Sequence, residues 1–353
     1  MSRILVLDYG SNSLRWLVVD RVDSRGTDAP LGPVESGGRS TGLGRPGEDG
    51  RVSMEAVENT LAATREAIAR GRELGVNRTL AVATHFAREL PGVETLADAL
   101  KSRWGVELTL LSGPDEAWLT RVGVDEGLRC LDLDGRVYLA VDVGGGSTEF
   151  SWWGCEETRG LNPLPPKGGR ERRPSRRLNL FTQSFPLGAI NLTGRHFHTD
   201  PPAPGEMGEL RDGVRAVFSR LPMDTHDLPV VASGGTATAL AALHLGLNEY
   251  LPLVIQGTPL SRGDLAALIE RLAGVPLAER KRLLPTDERR AEIIVAGALV
   301  LETLLAHLGD DGRRPGRRLN LLVSDYDLKH GAAVALGGDK PATLPSKGFG
   351  HGT

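Results

Sequence analysis

The strongest constraint on this chain is a pattern that it uses twice. Residues 3–20 read "RILVLDYGSNSLRWLVVD" and residues 137–153 read "VYLAVDVGGGSTEFSWW". Each is an apolar strand that reaches an aspartate (Asp8, Asp142), then a turn of Gly with Ser or Thr, then a second apolar strand. Runs of Val, Ile and Leu of this kind belong to strands buried within a sheet. The two aspartates hold equivalent places 134 residues apart, and a repeat at that distance predicts two related domains facing one another. Three consecutive glycines, Gly144, Gly145 and Gly146, lose much backbone entropy on folding, so they are expected where the backbone must come close to something.

Between the two copies, Met54, Val57, Leu61 and Ile68 fall at helical spacing, and strands are expected at 79–84 and 106–112 with a helix between them. This alternation indicates an α/β class. A chain of 353 residues exceeds what one core usually covers. The expected division is 1–125 and 126–325, with a segment at about 326–338 packing back on the first domain and 339–353 as a disordered tail. At 40% apolar and 25% charged residues the composition excludes a disordered chain, and a net charge of -3 gives no reason to expect specific nucleic-acid binding. Cys130 and Cys155 make neither a disulfide framework nor a metal knuckle. The N-terminal "MSRILVLDYG" reads as a strand and not as a signal peptide. The run "IIVAGALVLETLLAHL" is broken by Glu302 and reads as a buried helix too short to span a membrane. No membrane partner is expected, and the expected location is the cytoplasm.

Four polar turns follow apolar strands, at 8–15, 142–149, 232–240 and 323–331. Ligands of open α/β sheets sit beyond the carboxyl ends of strands, and Gly- and Ser-rich turns present backbone N–H groups suited to phosphate. The turn "ASGGTATAL" adds Gly234 and Gly235 to the candidate phosphate contacts. Asp8 and Asp142 are candidate ligands of Mg²⁺ or another divalent cation, which favours carboxylates together with substrate oxygens. Glu149 is either a surface acid on its strand or a group that orients an attacking water; spacing alone leaves both open.

The segments "DYGSNSLRWLVV", "ATHFAREL", "LSGPDEAWLTRVGV", "VDVGGGSTEF", "FPLGAINLTGRHF", "ASGGTATALAAL" and "VSDYDLKHGAA" stand in the order of the motifs of the exopolyphosphatase/guanosine pentaphosphate phosphohydrolase family. The chain resembles that family from about residue 3 to about residue 335, in its short two-domain form. The resemblance implies two ribonuclease-H-like domains of the actin, sugar-kinase and heat-shock ATPase superfamily, with the active site in the cleft between them. It implies Mg²⁺-dependent hydrolysis of a terminal phosphoanhydride and no organic cofactor. Carried over by position, Glu116 matches the family's water-activating glutamate, and Asp142 and Glu149 match acids that hold metal and water. Asp8 matches the acid of the first phosphate motif. Gly144, Gly145, Gly146, Ser147 and Thr148 match the phosphate-cradling turn, and Ser11, Asn12, Ser13 and Arg15 match its counterpart in the first domain. Arg88 matches an arginine that contacts phosphate. Enclosure of Glu116 near Asp142 and Glu149 is expected to raise its pKa and suit it to act as a base.

The chain departs from the family at Trp118, where an arginine is usual and where the indole is expected to pack, and at His85, which replaces a small hydroxyl residue. The stretch 154–180 lies outside the resemblance. Its Lys167, Arg170, Arg172, Arg173, Arg176 and Arg177 either dock a long polyanion by counterion release or form a solvated loop. Inorganic polyphosphate is the favoured substrate and guanosine pentaphosphate the alternative. A superfamily kinase and a non-catalytic sensor are more distant readings. A homodimer is an open assembly state.

Overall fold

A computed structural model describes residues 2–21, 31–84, 86–131, 133, 137–154, 179–222, 225–226, 228–285, 288–309, 319–337 and 342–345. His85, Cys155, the six basic residues of the 154–180 stretch and the tail from 346 lie outside the described residues.

The elements run β1 (Ser2–Tyr9), β2 (Ser13–Arg21), β3 (Gly32–Ser40), α1 (Met54–Glu73), β4 (Arg78–Ala83), α2 (Phe86–Glu89), α3 (Val93–Trp104), β5 (Leu108–Leu110) and α4 (Gly113–Arg129). They continue with β6 (Leu139–Val143), β7 (Thr148–Gly154), β8 (Asn179–Phe185), α5 (Ala189–His196), α6 (Pro204–Phe218), β9 (Val230–Ser233), α7 (Gly234–His244) and α8 (Pro252–Ile255). The last are β10 (Pro259–Ser261), α9 (Arg262–Ala273), α10 (Leu277–Leu283), α11 (Arg290–Gly309), β11 (Asn320–Val323) and α12 (Leu328–Leu336).

Two sheets organise these elements. The first has the order β3-β2-β1-β4-β5, and the second β8-β7-β6-β9-β11-β10. In each, an antiparallel hairpin (β1/β2, β6/β7) continues into an antiparallel third strand and is followed on its other side by parallel strands. The repeated motif therefore grows into a repeated topology, a two-domain α/β architecture whose second sheet adds β10 at its edge.

The period-two alternation of a strand sorts its side chains to opposite faces. In β1, Leu5, Leu7 and Tyr9 join the cluster with α1 and α3, while Ile4 and Val6 join the cluster with α4 and α12. Asp8 shares the parity of Ile4 and Val6, so it points to the α4 and α12 side. In β6, Leu139, Val141 and Val143 enter the large core of the second sheet, and Ala140 packs with Val124 and Leu128 of α4. Asp142 shares the parity of Ala140. Helix α4 thus serves both sheets from one side, with Leu119 in the first sheet's cluster and Val124 and Leu128 in the second's. Trp118 packs beside Leu119 against that first cluster, as expected of it.

Helix α12 returns from the second sheet and crosses α4 with almost no space between backbones. A Cβ on Gly123 would lie 2.0 Å from the Asp327 carbonyl oxygen, and one on Gly331 would lie 1.8 Å from that of Leu119. Helix α11 has the length and apolar composition to cross a membrane, longer than the run identified from the sequence, but 89% of its most apolar window is buried within the fold. Its Glu302 is 6% exposed and is held by Arg211 Nε at 3.1 Å and Arg262 Nε at 2.9 Å, which explains how an acid is tolerated there.

Candidate active site

Hairpin register decides the first pairings. Asp8 lies opposite Arg15, and Asp142 opposite Glu149. Directly opposed residues of an antiparallel pair share a face, so each aspartate meets its partner's side chain. In the first hairpin the partner is a cation: Arg15 Nη2 donates to Asp8 Oδ2 at 2.6 Å. In the second hairpin the partner is another acid. Glu149 is 3% exposed and accepts a hydrogen bond from Ser184 Oγ at 2.9 Å. Burial, partly offset by a hydrogen bond from Ser147 and reinforced by the charge of Asp142, pushes the Glu149 carboxyl up to about 7. Burial also lifts Asp142 to about 6, against the attraction of Arg15 and with repulsion from Asp327 and Asp8. Asp8 is raised too, chiefly by burial and despite Arg15.

The two turns close alike. Gly10 N donates to Ser13 O at 3.0 Å, and Gly144 N donates to Ser147 O at 2.9 Å. The carbonyls of Gly144 and Gly145 accept from Ala189 N and Ile190 N at the start of α5, each at 2.9 Å, and that of Gly146 accepts from Asn191 Nδ2 at 3.1 Å. In a trans peptide the following N–H points opposite to the carbonyl. The N–H groups of Gly145, Gly146 and Ser147 therefore face away from α5, toward the cleft that these residues line. In the first turn, the Ser11 carbonyl accepts from Gly44 N, and that of Asn12 from Thr41 N and Gly42 N. The same geometry aims the N–H groups of Asn12 and Ser13 at the cleft.

The glycines answer to close approach and not to a left-handed backbone. A Cβ on Gly145 would lie 2.9 Å from Ile190 Cδ1 and 3.1 Å from Ser11 Cβ, so the two turns nearly touch across the cleft. Gly234, by contrast, has φ +81°, and a Cβ there would lie 2.1 Å from Asp142 Oδ1.

Glu116 arrives on α4. Ser112 and Asp115 form its capping box, with Ser112 Oγ accepting from Asp115 N at 3.2 Å and Asp115 Oδ2 accepting from Ser112 N at 3.2 Å. Asp115 thereby takes the role of helix-start acid, and Glu116, one residue on, is left to face the cleft at 9% exposure. Its carboxyl is raised well above the ordinary range by burial, then by Glu149, and by Asp142 and Asp8, against the pull of Arg88. Arg88 Nη1 stands 3.4 Å from Glu116 Oε2 and also donates to the Leu111 carbonyl.

One cleft therefore gathers Asp8, Ser11, Asn12, Ser13, Arg15, Glu116, Asp142, Gly144, Gly145, Gly146, Ser147, Glu149 and Gly235. Among the described residues, no three His, Cys, Asp or Glu converge closely enough to hold a metal alone. Asp8 Oδ1 and Asn12 Oδ1 are nevertheless buried acceptors with no hydrogen-bond partner.

A family model of the Ppx/GppA phosphatase family matches residues 40–331. The chain belongs to that family. This Ppx/GppA phosphatase is 28% identical over 354 residues to Exopolyphosphatase 2 of Mycobacterium tuberculosis, covering 96% of this chain and 99% of that protein. Its fold matches the crystal structure of the Aquifex aeolicus family member with a TM-score of 0.70 at 26% identity, over 94% of this chain and 96% of that one. An exopolyphosphatase from Cytophaga hutchinsonii shares the fold with a TM-score of 0.76 at 24% identity, over 97% of this chain and 100% of that one.

Four residues expected to contact phosphate also have partners within the fold of this phosphatase. Arg15 is engaged by two carboxylates, Asp8 and, through Nη1 at 2.6 Å, Asp327. Arg88 stands 3.4 Å from Glu116, and its charge also lowers the Glu149 carboxyl. The Thr148 hydroxyl donates to the Leu187 carbonyl at 2.7 Å, tying the turn to the approach to α5. Gly234 clears space for Asp142. Three cleft-shaping residues were missed. Gly188 lets its chain sit on the glycine turn, since a Cβ there would lie 2.1 Å from the Gly146 carbonyl carbon. Arg290 opens α11 and lines the cleft beside Gly235. A cation in a helix's first turn opposes the helix dipole, and that was the available signal. Asp327 lies within the polar turn at 323–331, but nothing in that turn pointed to Arg15 as its partner.

Proposed function

We propose that this phosphatase hydrolyses the terminal phosphoanhydride of inorganic polyphosphate, releasing orthophosphate, with Mg²⁺ or another divalent cation. The observation that carries the reading is the convergence of a buried, proton-avid Glu116 with two turns of inward N–H groups in one acid-lined cleft. Phosphoanhydride hydrolysis needs positioning and charge stabilisation more than covalent chemistry. The N–H groups of Gly145, Gly146 and Ser147 hold the terminal phosphoryl oxygens from the second domain, and those of Asn12 and Ser13 hold oxygens from the first. Glu116 orients a water and takes its proton as that water's oxygen bonds to the terminal phosphorus. The bond from phosphorus to the bridging oxygen breaks, and the shortened chain leaves with the negative charge. A carboxylate with a raised pKa is a stronger base for this step than an exposed one. Arg88 keeps Glu116 directed into the cleft.

The acids fit a divalent cation shared with substrate. Mg²⁺ is commonly held by one or two carboxylates, with waters and substrate phosphates completing its shell. Asp8, with its unpaired Oδ1, and Asp142, opposite Glu149, would hold it. The bound cation supplies positive charge that relieves repulsion among the acids and neutralises phosphoryl oxygens.

The likeness to Exopolyphosphatase 2 of Mycobacterium tuberculosis supports polyphosphate over guanosine pentaphosphate. Side-by-side phosphate release from long polyphosphate, triphosphate, guanosine pentaphosphate and ATP, with and without Mg²⁺, tests the reading. Preferred turnover of polyphosphate, lost on chelation, is expected. Preference for guanosine pentaphosphate selects the alternative substrate, and turnover unaffected by chelation removes the cation.

A further inference from the structure

The chemistry above uses Asp8 but leaves unexplained why half of its carboxylate is unpaired. Arginine carries N–H donors in a rigid fork, and a carboxylate facing it ordinarily takes two of them side by side. Arg15 faces Asp8 across the hairpin, yet only Nη2 reaches it, at Oδ2. Nη1 goes instead to Asp327 Oδ2, 2.6 Å away and 312 positions along the chain. Asp8 Oδ1 is left with no partner although Asp8 is fully buried, and Asp8 lines the cleft. An unpaired buried carboxylate oxygen is costly, so it marks a place where a ligand is received.

Asp327 is built to hold its share of the fork. It is 2% exposed and caps α12 by accepting from Lys329 N at 3.1 Å. Lys329 Nζ lies 3.0 Å from both of its oxygens, and His330 Nδ1 lies 3.3 Å from Oδ1. Burial works against its charge, but Lys329, Arg15 and His330 outweigh that and keep the group well below the usual carboxylate range. The α4/α12 glycine crossing sets where this helix start lies relative to the hairpin.

We propose that Asp327 is a positioning residue that splits the Arg15 fork, preventing a two-bond pairing with Asp8 and so keeping Asp8 Oδ1 available to the cation that accompanies the phosphate substrate. This rests on the reading of the cleft as a cation-assisted phosphoanhydride hydrolase. It also makes the cation's seat depend on both domains at once, since Asp8 and Arg15 come from the first sheet and Asp327 from the chain leaving the second.

The test compares Asp327→Asn, which keeps the shape and cap oxygen but not the charge, with the parent enzyme. In the variant, Arg15 closes on both Asp8 oxygens. Expected are a rise of about tenfold or more in the Mg²⁺ concentration for half-maximal phosphate release, with polyphosphate KM at saturating Mg²⁺ changed less than about threefold. Mn²⁺ binding to the substrate-free full chain, read by electron paramagnetic resonance, is expected to weaken by a similar factor. In the double variant Asp327→Asn with Arg15→Lys, a single ammonium cannot reproduce the fork, and cation affinity returns toward the parent value. A merely structural role predicts a lowered Tm with Mg²⁺ half-saturation and Mn²⁺ affinity unchanged, and no rescue; that result overturns the proposal. If Asp327→Asn does not fold, Arg15→Lys alone decides: Mn²⁺ affinity at or above the parent's supports the proposal, and weaker binding overturns it. Glu116→Gln run in parallel separates the two claims. Its full activity would sink the functional reading, whereas an inactive Glu116→Gln beside a cation-indifferent Asp327→Asn sinks only this inference.

Discussion

Replacing Glu149 by Gln should make the cation-free protein more stable while destroying its function. Glu149 is a buried acid facing another acid, and its carboxyl is raised from an ordinary 4.5 to about 7. A group whose folded pKa lies above its unfolded one contributes most at pH below the unfolded value, and that contribution is lost as pH rises through the folded value. At about 1.4 kcal/mol per pKa unit, ionised Glu149 destabilises the fold by about 3 kcal/mol near pH 8 and by about 1 kcal/mol near pH 5. Gln keeps an oxygen to accept from Ser184 Oγ and can donate its amide toward Asp142, while carrying no charge. With about 2 cal/mol/K of unfolding entropy per residue over 353 residues, each kcal/mol moves Tm by about 1.4 °C. The expected gain in EDTA is therefore about 4 °C near pH 8, shrinking to about 1 °C near pH 5. Calorimetry of both proteins at the two pH values measures this, and the difference between them reads the Glu149 charge together with its repulsion of Glu116 and Asp142. A variant no more stable than the parent near pH 8, or a gain that does not shrink on acidification, refutes the argument that burial beside Asp142 strains this carboxylate.

Three other perturbations address the remaining parts. Glu116→Gln should lower polyphosphate turnover by about 10²-fold or more with KM little changed. In the parent enzyme, activity should fall as pH drops through a value well above the ordinary glutamate range, because the base works only when deprotonated and its pKa is raised; a fall only below about pH 5 would contradict that placement. Gly234→Ala should abolish activity by displacing the Asp142 carboxylate, whereas Gly246→Ala, at φ +67° with nothing within 4 Å of the added methyl, should cost a similar backbone strain of about 1 kcal/mol and leave turnover intact. Equal turnover losses in the two variants would show that Gly234 matters only for its backbone.

The repeat, the α/β class and the strand–acid–turn–strand hairpins were legible in the chain because they are local, whereas the grouping of Glu116 with Asp142 and the glycine turn came only from the family resemblance. A hairpin's register follows from its turn, so residues seven positions apart, Asp8 with Arg15 and Asp142 with Glu149, were bound to meet once the turn was recognised. What each meeting means was not local. Arg15 reads as a phosphate donor until Asp327, brought from the far end of the chain by the α4/α12 crossing, takes half of its fork. Gly188 reads as an ordinary motif glycine until its backbone is laid against Gly145 and Gly146, and Gly234 reads as a phosphate loop until Asp142 fills the space that its missing side chain leaves. The sequence by itself determined which acids, amides and glycines this protein carries and how they sit on their strands. Only the tertiary structure decided which of those acids are neutralised and which are crowded, because a carboxylate's charge is set by burial and by the groups within a few ångströms, and the deciding pair, Arg15 with Asp327, lies 312 positions apart.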